Sequence, residues 1–222
     1  MGARVGMITI GQSPRSDVVP EIQKLLGPQI DVVECGALDG ASTEMVKELA
    51  PAAGDFPLVT RMRSGEEVIV GKSKIVPKVQ RCVDRLQNQC DILVVLCTGH
   101  FPQLRSNRLI VTPDALLDGI VNGIHGARTI GVLVPSGDQK SHALERWKRP
   151  GGTVVVEGAS PYSERDEVTP SARKLAASNP DLIVLDCMGY TSKTKDIVRK
   201  ITGRPAILPR SVVARSIREL TE

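Results

Sequence analysis

Val5-Gly6-Met7-Ile8-Thr9-Ile10 is an apolar run that breaks at Gly11-Gln12-Ser13-Pro14-Arg15, and Ile130-Gly131-Val132-Leu133-Val134 is a second run that breaks at Pro135-Ser136-Gly137-Asp138. Each reads as a buried strand that turns into a helix. Each is followed further along by another apolar strand ending in a cysteine, LVVLC (93–97) and IVLDC (183–187). The two stretches are therefore read as copies within an internally duplicated chain.

Outward from these strands, short β-branched runs at 30–34, 92–96, 153–156 and 182–185 alternate with helical patterns at 17–26, 74–87, 138–148, 169–178 and 192–201. Such a rhythm predicts βαβ units. The expected fold is α/β, with two pseudo-symmetric Rossmann-like (flavodoxin-like) halves built on parallel sheets. The first half comprises 1–112 plus 209–222, and the second 113–208. Asp17 and Thr169 are expected to cap helices, with Pro170 in a first turn. The first half is the longer, and LVTRM (58–62) and EVIV (67–70) flanking RSGE predict a hairpin insert near 55–74. Residues 211–222 read as a final helix that packs back on the first half.

Composition narrows the function classes. Hydrophobic residues at 41% and charged residues at 24% are those of a soluble globular chain. With aromatics at only 2%, the core must rest on Val, Ile, Leu and Ala, which suits parallel strands buried on both faces. The formal net charge is +4, but the basic residues are spread out rather than clustered with aromatics, so no nucleic-acid partner is expected. Residues 1–10 are too short in apolar character for a signal segment, and no stretch approaches the roughly 20 apolar residues of a membrane span. A cytoplasmic setting without a membrane partner is expected. There, the cysteines at 35, 82, 90, 97 and 187 are expected to remain thiols, since their number is odd and no CxxC pair occurs.

In open parallel sheets, ligands gather beyond the carboxyl ends of the strands. Cys97 and Cys187 both fall there, and both precede a glycine by two positions, Cys97-Thr98-Gly99 and Cys187-Met188-Gly189. Amides turned inward at such a turn would hold an anion and favour a thiolate. A single cysteine ending an apolar strand is commonly a packing residue, which is the reading given to Cys35, Cys82 and Cys90. Two at matching places in duplicated halves are candidates for catalysis, because packing has no reason to respect the duplication.

Around them, Thr98, Gly99, Met188, Gly189 and Tyr190 are candidate substrate contacts. Gln12, Ser13 and Arg15 could grip a carboxylate from the first turn, and Ser136 could add a hydrogen bond from its counterpart. The first turn carries neither GxGxxG nor GxxxxGK[ST], so no nucleotide cofactor is expected. His100, His125 and His142 show no metal-ligand spacing, so no metal is expected either. His100 could serve Cys97 as a base or could be a solvated or capping residue, and Asp186 could tune Cys187 or merely end its strand.

The stretches MITIG (7–11), APAAG (50–54), GVLVP (131–135) and LDCMGY (185–190) resemble the AroM family, within the aspartate/glutamate (hydantoin) racemase superfamily. The resemblance runs from the first strand to the final helix. It implies one cysteine from each half, an active site between the halves, no cofactor, and substrates that are amino acids, hydantoins or small dicarboxylates. It also implies a homodimer as a family-level expectation. Two departures stand out: superfamily racemases show Cys-Asn-Thr where this chain has Cys97-Thr98-Gly99, and hydantoin racemases carry Asn-Pro-Asn where this chain has Gly11-Gln12-Ser13-Pro14.

The function expected is that of a cofactor-independent racemase or epimerase of an amino acid or related carboxylate, with the two cysteines as acid and base. The alternatives are an isomerase similar to maleate isomerases, a decarboxylase of the arylmalonate type, or a non-catalytic carboxylate-binding or regulatory protein.

Overall fold

The computed structural model describes residues 2–222. The chain forms two compact units, one running to Leu116 and including Val213–Glu222, the other Leu117–Val212. In chain order the first unit contains β1 (Arg4–Thr9), α1 (Val19–Leu26), β2 (Asp31–Gly36), α2 (Thr43–Glu48), β3 (Pro57–Arg61), β4 (Glu67–Gly71), α3 (Lys72–Leu86), β5 (Ile92–Val95) and β6 (Leu109–Val111). Helix α4 (Pro113–Gly123) leads into the second unit, which holds β7 (Thr129–Val134), α5 (Lys140–Trp147), β8 (Thr153–Gly158), α6 (Val168–Ala177), β9 (Leu182–Leu185), α7 (Ser192–Thr202) and β10 (Ala206–Ile207). Helix α8 (Pro209–Thr221) returns the chain to the first unit from Val213 onward.

Each unit is built on a four-stranded parallel sheet, ordered β2-β1-β5-β6 in the first and β8-β7-β9-β10 in the second. The duplication extends to individual residues. Gly6 lies opposite Leu93 and Gly131 opposite Ile183, and a methyl group on either glycine would strike that partner's side chain. Asp91 accepts the amide of Arg4 at the start of β1, and Asp181 accepts those of Arg128 and Thr129 at the start of β7. By this register Cys97 is equivalent to Cys187. Since Val94 pairs with Val111 and Val184 with Ile207, Asp114 is equivalent to Arg210.

The sheets are buried as their composition requires. In the second unit Leu133, Ile183 and Leu185 join one core cluster, whereas Val132, Val134 and Val184 join another with Trp147, so successive residues serve opposite faces. The first unit's cluster includes Ile8, Ile10, Leu93 and Val95 and extends to Leu58 and Val70 of a separate two-stranded sheet. That sheet is the antiparallel hairpin β3–β4, whose tight tip places Gly65 at a φ of 97°. The tip is tied to the β1–α1 turn: Arg61 offers its carbonyl to the Gln12 amide, Arg63 donates its amide to Gln12 Oε1, and the Arg63 guanidinium grips the Ser13 carbonyl.

Three local expectations change. Asp17 does not cap α1, because its carboxylate is taken by the Arg15 guanidinium at 2.8 Å and the helix begins at Val19. Helix α6 begins at Val168 with Asp166, not Thr169, accepting a first-turn amide, that of Thr169. Cys35 on β2 and Cys82 on α3 are not thiols but form a disulfide, their Cα atoms 5.7 Å apart across the first core. The Cys90 thiol is free and buried, and burial raises its pKa. Four elements are not evident in the sequence pattern, α2, β6, α4 and β10. The two strands have three and two residues, too few to show a period. Among the described residues, no helix is long and apolar enough to cross a membrane, and no cluster of three metal-ligating side chains occurs.

Candidate active site

Strands β5 and β9 run out into a backbone bend that puts each cysteine beyond the carboxyl end of its sheet. The amide of Cys97 donates to Val95 O at 2.8 Å, and that of Cys187 to Leu185 O at 3.0 Å. In both turns the glycine two residues on donates its amide to the cysteine sulfur, Gly99 to Cys97 and Gly189 to Cys187, each at 3.3 Å. An N–H aimed at sulfur favours a thiolate over a thiol.

The two turns differ in their surroundings. Cys97 is partly exposed and packs on the first core. A side chain at Gly99 would run into Leu58 of β3 and Phe101, so the hairpin lies against the first cysteine turn. Cys187, Met188, Gly189 and Tyr190 are all buried. A side chain at Gly189 would strike Pro161 and the Tyr162 ring, and the Tyr190 hydroxyl donates to Ala159 O at 2.7 Å. Complete burial, reinforced by the nearby Cys187, lifts the Tyr190 pKa well above the ordinary phenol value, so the group is a fixed neutral donor.

Behind the second turn stand two polar supports. Arg210, only 1% exposed, donates Nε to Met188 O at 2.7 Å and Nη2 to Gly189 O at 2.8 Å. Asp186 accepts from both Arg146, at 3.1 Å, and Trp147 Nε1, at 2.8 Å, with the Arg146 guanidinium 4.6 Å from the Trp147 ring centre. Asp186 thus anchors the strand end into the core. Behind the first turn, at the position equivalent to Arg210, the buried Asp114 binds His100 Nδ1 at 2.7 Å. His100 therefore points Nδ1 at a carboxylate.

The remaining anticipated residues separate by role. Thr98 is buried beside Cys97. Gln12, Ser13 and Arg15 lie on the same carboxyl rim, yet their polar groups are engaged within the protein. The Ser13 amide and hydroxyl donate to Asp39 at 2.7 and 2.6 Å, the Arg15 amide donates to Glu34 at 2.6 Å, and the Arg15 guanidinium holds Asp17 and Thr9 Oγ1. Burial raises the Glu34 pKa although it accepts the Arg15 amide. Ser136 uses its side chain to accept the Asp138 amide at 3.3 Å, starting the short 3-10 turn 137–139 ahead of α5. Arg15, with Arg61 and Arg63, also lines a polar cavity of about 130 Å³ under the hairpin tip.

Sequence reasoning missed Asp39, Asp114, Arg210 and Tyr162. The signal available for two of them was positional: Asp114 and Arg210 each follow a proline that opens a helix at a strand end, Pro113 and Pro209.

The architecture recurs in solved structures. The unliganded arylmalonate decarboxylase aligns with a TM-score of 0.63 at 13% identity, covering 99% of this chain and 92% of that one. Glutamate racemase from Francisella tularensis subsp. tularensis SCHU S4, in complex with D-glutamate, aligns at 0.63 and 14%, covering 99% and 81%. The maleate isomerase Iso from Pseudomonas putida S16 aligns at 0.63 and 15%, covering 99% and 93%. At these identities the likeness is one of fold. No curated protein sequence matches the chain. The family model described as AroM protein matches residues 5–221, and the chain accordingly belongs to the AroM family.

Proposed function

We propose that this protein is a cofactor-independent racemase or epimerase of a small carboxylate or amino acid, with Cys97 and Cys187 acting in turn on one substrate carbon. One cysteine, as thiolate, takes the proton from the carbon next to the carboxylate; the other, as thiol, delivers a proton to the opposite face. The reading rests on one observation: in register-equivalent turns, each sulfur accepts an amide from the glycine two residues on.

A thiolate, with an ordinary pKa of about 8.5, is a weak base toward such carbon acids, so the enolate must be held by donors already in place. The turn residues Thr98, Gly99, Met188 and Gly189 are the sources closest to the sulfurs, with Ser136 on the same rim as Cys187. Gln12, Ser13 and Arg15 shape the rim of the first unit through Asp39, Glu34 and Asp17.

The difference in exposure between Cys97 and Cys187 favours a second reading. An isomerase or decarboxylase working through a single cysteine, the activities named for two of the fold relatives, would need only one reactive thiol. The readings separate in D2O with a panel of amino acids and small carboxylates. Two-base racemisation requires solvent deuterium at the α-carbon, and loss of inversion in both Cys97→Ser and Cys187→Ser. A one-cysteine enzyme keeps turnover in one of the two variants. A binding protein turns over nothing and keeps its ligand affinity in both.

A further inference from the structure

We propose that His100, held by Asp114, is the base that takes the proton from Cys97 and returns it. The inference deepens the reading above, since it rests on Cys97 acting as an acid–base cysteine. Register makes Asp114 and Arg210 equivalent, each the second residue of the helix that follows the last strand of its sheet. Each reaches back to its unit's cysteine turn. Arg210 binds the carbonyls of Met188 and Gly189, whereas Asp114 binds the ring of His100.

The third residue after each cysteine is correspondingly different. Tyr190 is fully buried with its hydroxyl spent on Ala159 O, whereas the His100 side chain is 68% exposed over a carboxylate that is 4% exposed. A carboxylate can only accept from Nδ1, so the hydrogen sits on Nδ1 and the lone pair on Nε2. A buried carboxylate that fixes the tautomer of a water-facing imidazole is the arrangement of a proton carrier. His100 Cα lies at most about 11 Å from that of Cys97. The chain bends at Thr98 and Gly99 between them, which shortens that span. The arginines of this loop are turned elsewhere, Arg105 onto the carbonyls of Pro102 and Leu104 and Arg108 onto that of Gln87.

The step is balanced within the protein. The Cys97 S–H bond breaks, its proton goes to His100 Nε2 directly or through one water, and a thiolate and an imidazolium result. Asp114 opposes the imidazolium charge, and the Gly99 amide supports the thiolate. The reverse transfer reloads Cys97 as an acid.

The test needs no substrate. Full-length protein is treated with iodoacetamide across pH, and alkylation of the Cys97 peptide is followed by mass spectrometry. The buried Cys90 thiol serves in the same sample as the indicator of unfolding. His100→Asn keeps an amide able to face Asp114 but has no basic nitrogen. It is expected to slow Cys97 alkylation at neutral pH about tenfold and to displace its pH profile upward, with Cys90 still protected; Asp114→Asn should shift the profile in the same direction by less. His100→Gln provides the second variant should Cys90 become exposed in the first. A Cys97 profile that stays within twofold of wild type in a folded His100 variant overturns the proposal. Such a result leaves racemisation standing, and a lack of deuterium exchange in every acid tried would leave the His100 effect on Cys97 intact.

Discussion

The two cysteine turns share a backbone and little else. In the first unit Cys97 is reached by solvent, flanked by a hairpin and followed by an exposed histidine on a buried aspartate. In the second, Cys187 is buried in one cluster with Tyr190, Tyr162 lies against Gly189, and the turn is fastened by a buried arginine. One strand-and-turn module has thus kept the sulfur and the amide that supports it while exchanging what stands behind: a carboxylate for a guanidinium, an imidazole for a locked phenol. The common part is what a thiolate needs. The divergent part is what makes one thiol open and the other enclosed.

Perturbing the supports should break this comparison on one side at a time. The largest effect is expected at Trp147, which is wholly buried and donates to Asp186. Trp147→Ala should cost about 3–5 kcal/mol in urea denaturation, whereas Trp147→Phe should recover most of the packing and isolate the loss of the Asp186 bond. A Trp147→Ala protein as stable as wild type would mean that Asp186 is not anchored as described.

Arg210→Ala should follow, at about 3 kcal/mol, since it leaves two enclosed carbonyls without a charged donor. Arg210→Lys should rescue it only partly, because an ammonium lacks the fork that spans both oxygens. On the opposite side, Leu58→Ala should cost about 2–3 kcal/mol. The truncation removes the side chain that lies against Gly99, so Cys97 should also become faster to alkylate. Unchanged Cys97 reactivity in that variant would show that the hairpin does not shield it.

The smallest effect sharpens the symmetry itself. The amides of Thr129 and Arg128 lower the pKa of Asp181 below its ordinary 3.8. A depressed carboxylate pKa stabilises the fold at pH values above 3.8, and that contribution is lost as pH falls through the folded value. Asp181→Asn should therefore lower the urea midpoint at neutral pH, and the two curves should converge toward pH 3. A constant difference at all pH values would assign the effect to something other than ionisation.

Much of this was legible beforehand. Three of the four strands of each sheet, the hairpin and the paired cysteine-glycine turns follow from apolar periodicity and from a duplication visible in Gly6 and Gly131, Cys97 and Cys187. What escaped depends on distant partners. Cys35 and Cys82 are 47 residues apart, and only the packing of α3 on β2 brings their sulfurs together. Arg15 read as a carboxylate grip because its partners, Asp17 and Thr9, become visible only once β1 and its turn are folded. Asp114 and Arg210 escaped because β6 and β10 are too short to announce the helix starts behind them.

The central claim is that Cys97 and Cys187 serve opposite faces of one carbon. Its most direct measurement is α-proton exchange in D2O, followed separately for each enantiomer of a turned-over substrate, in Cys97→Ser and Cys187→Ser. Each variant retains one cysteine, so each should exchange one hand only, without inversion, and the hand should be opposite in the two variants. Exchange of the same hand by both variants, or full racemisation by either, would contradict the two-base assignment.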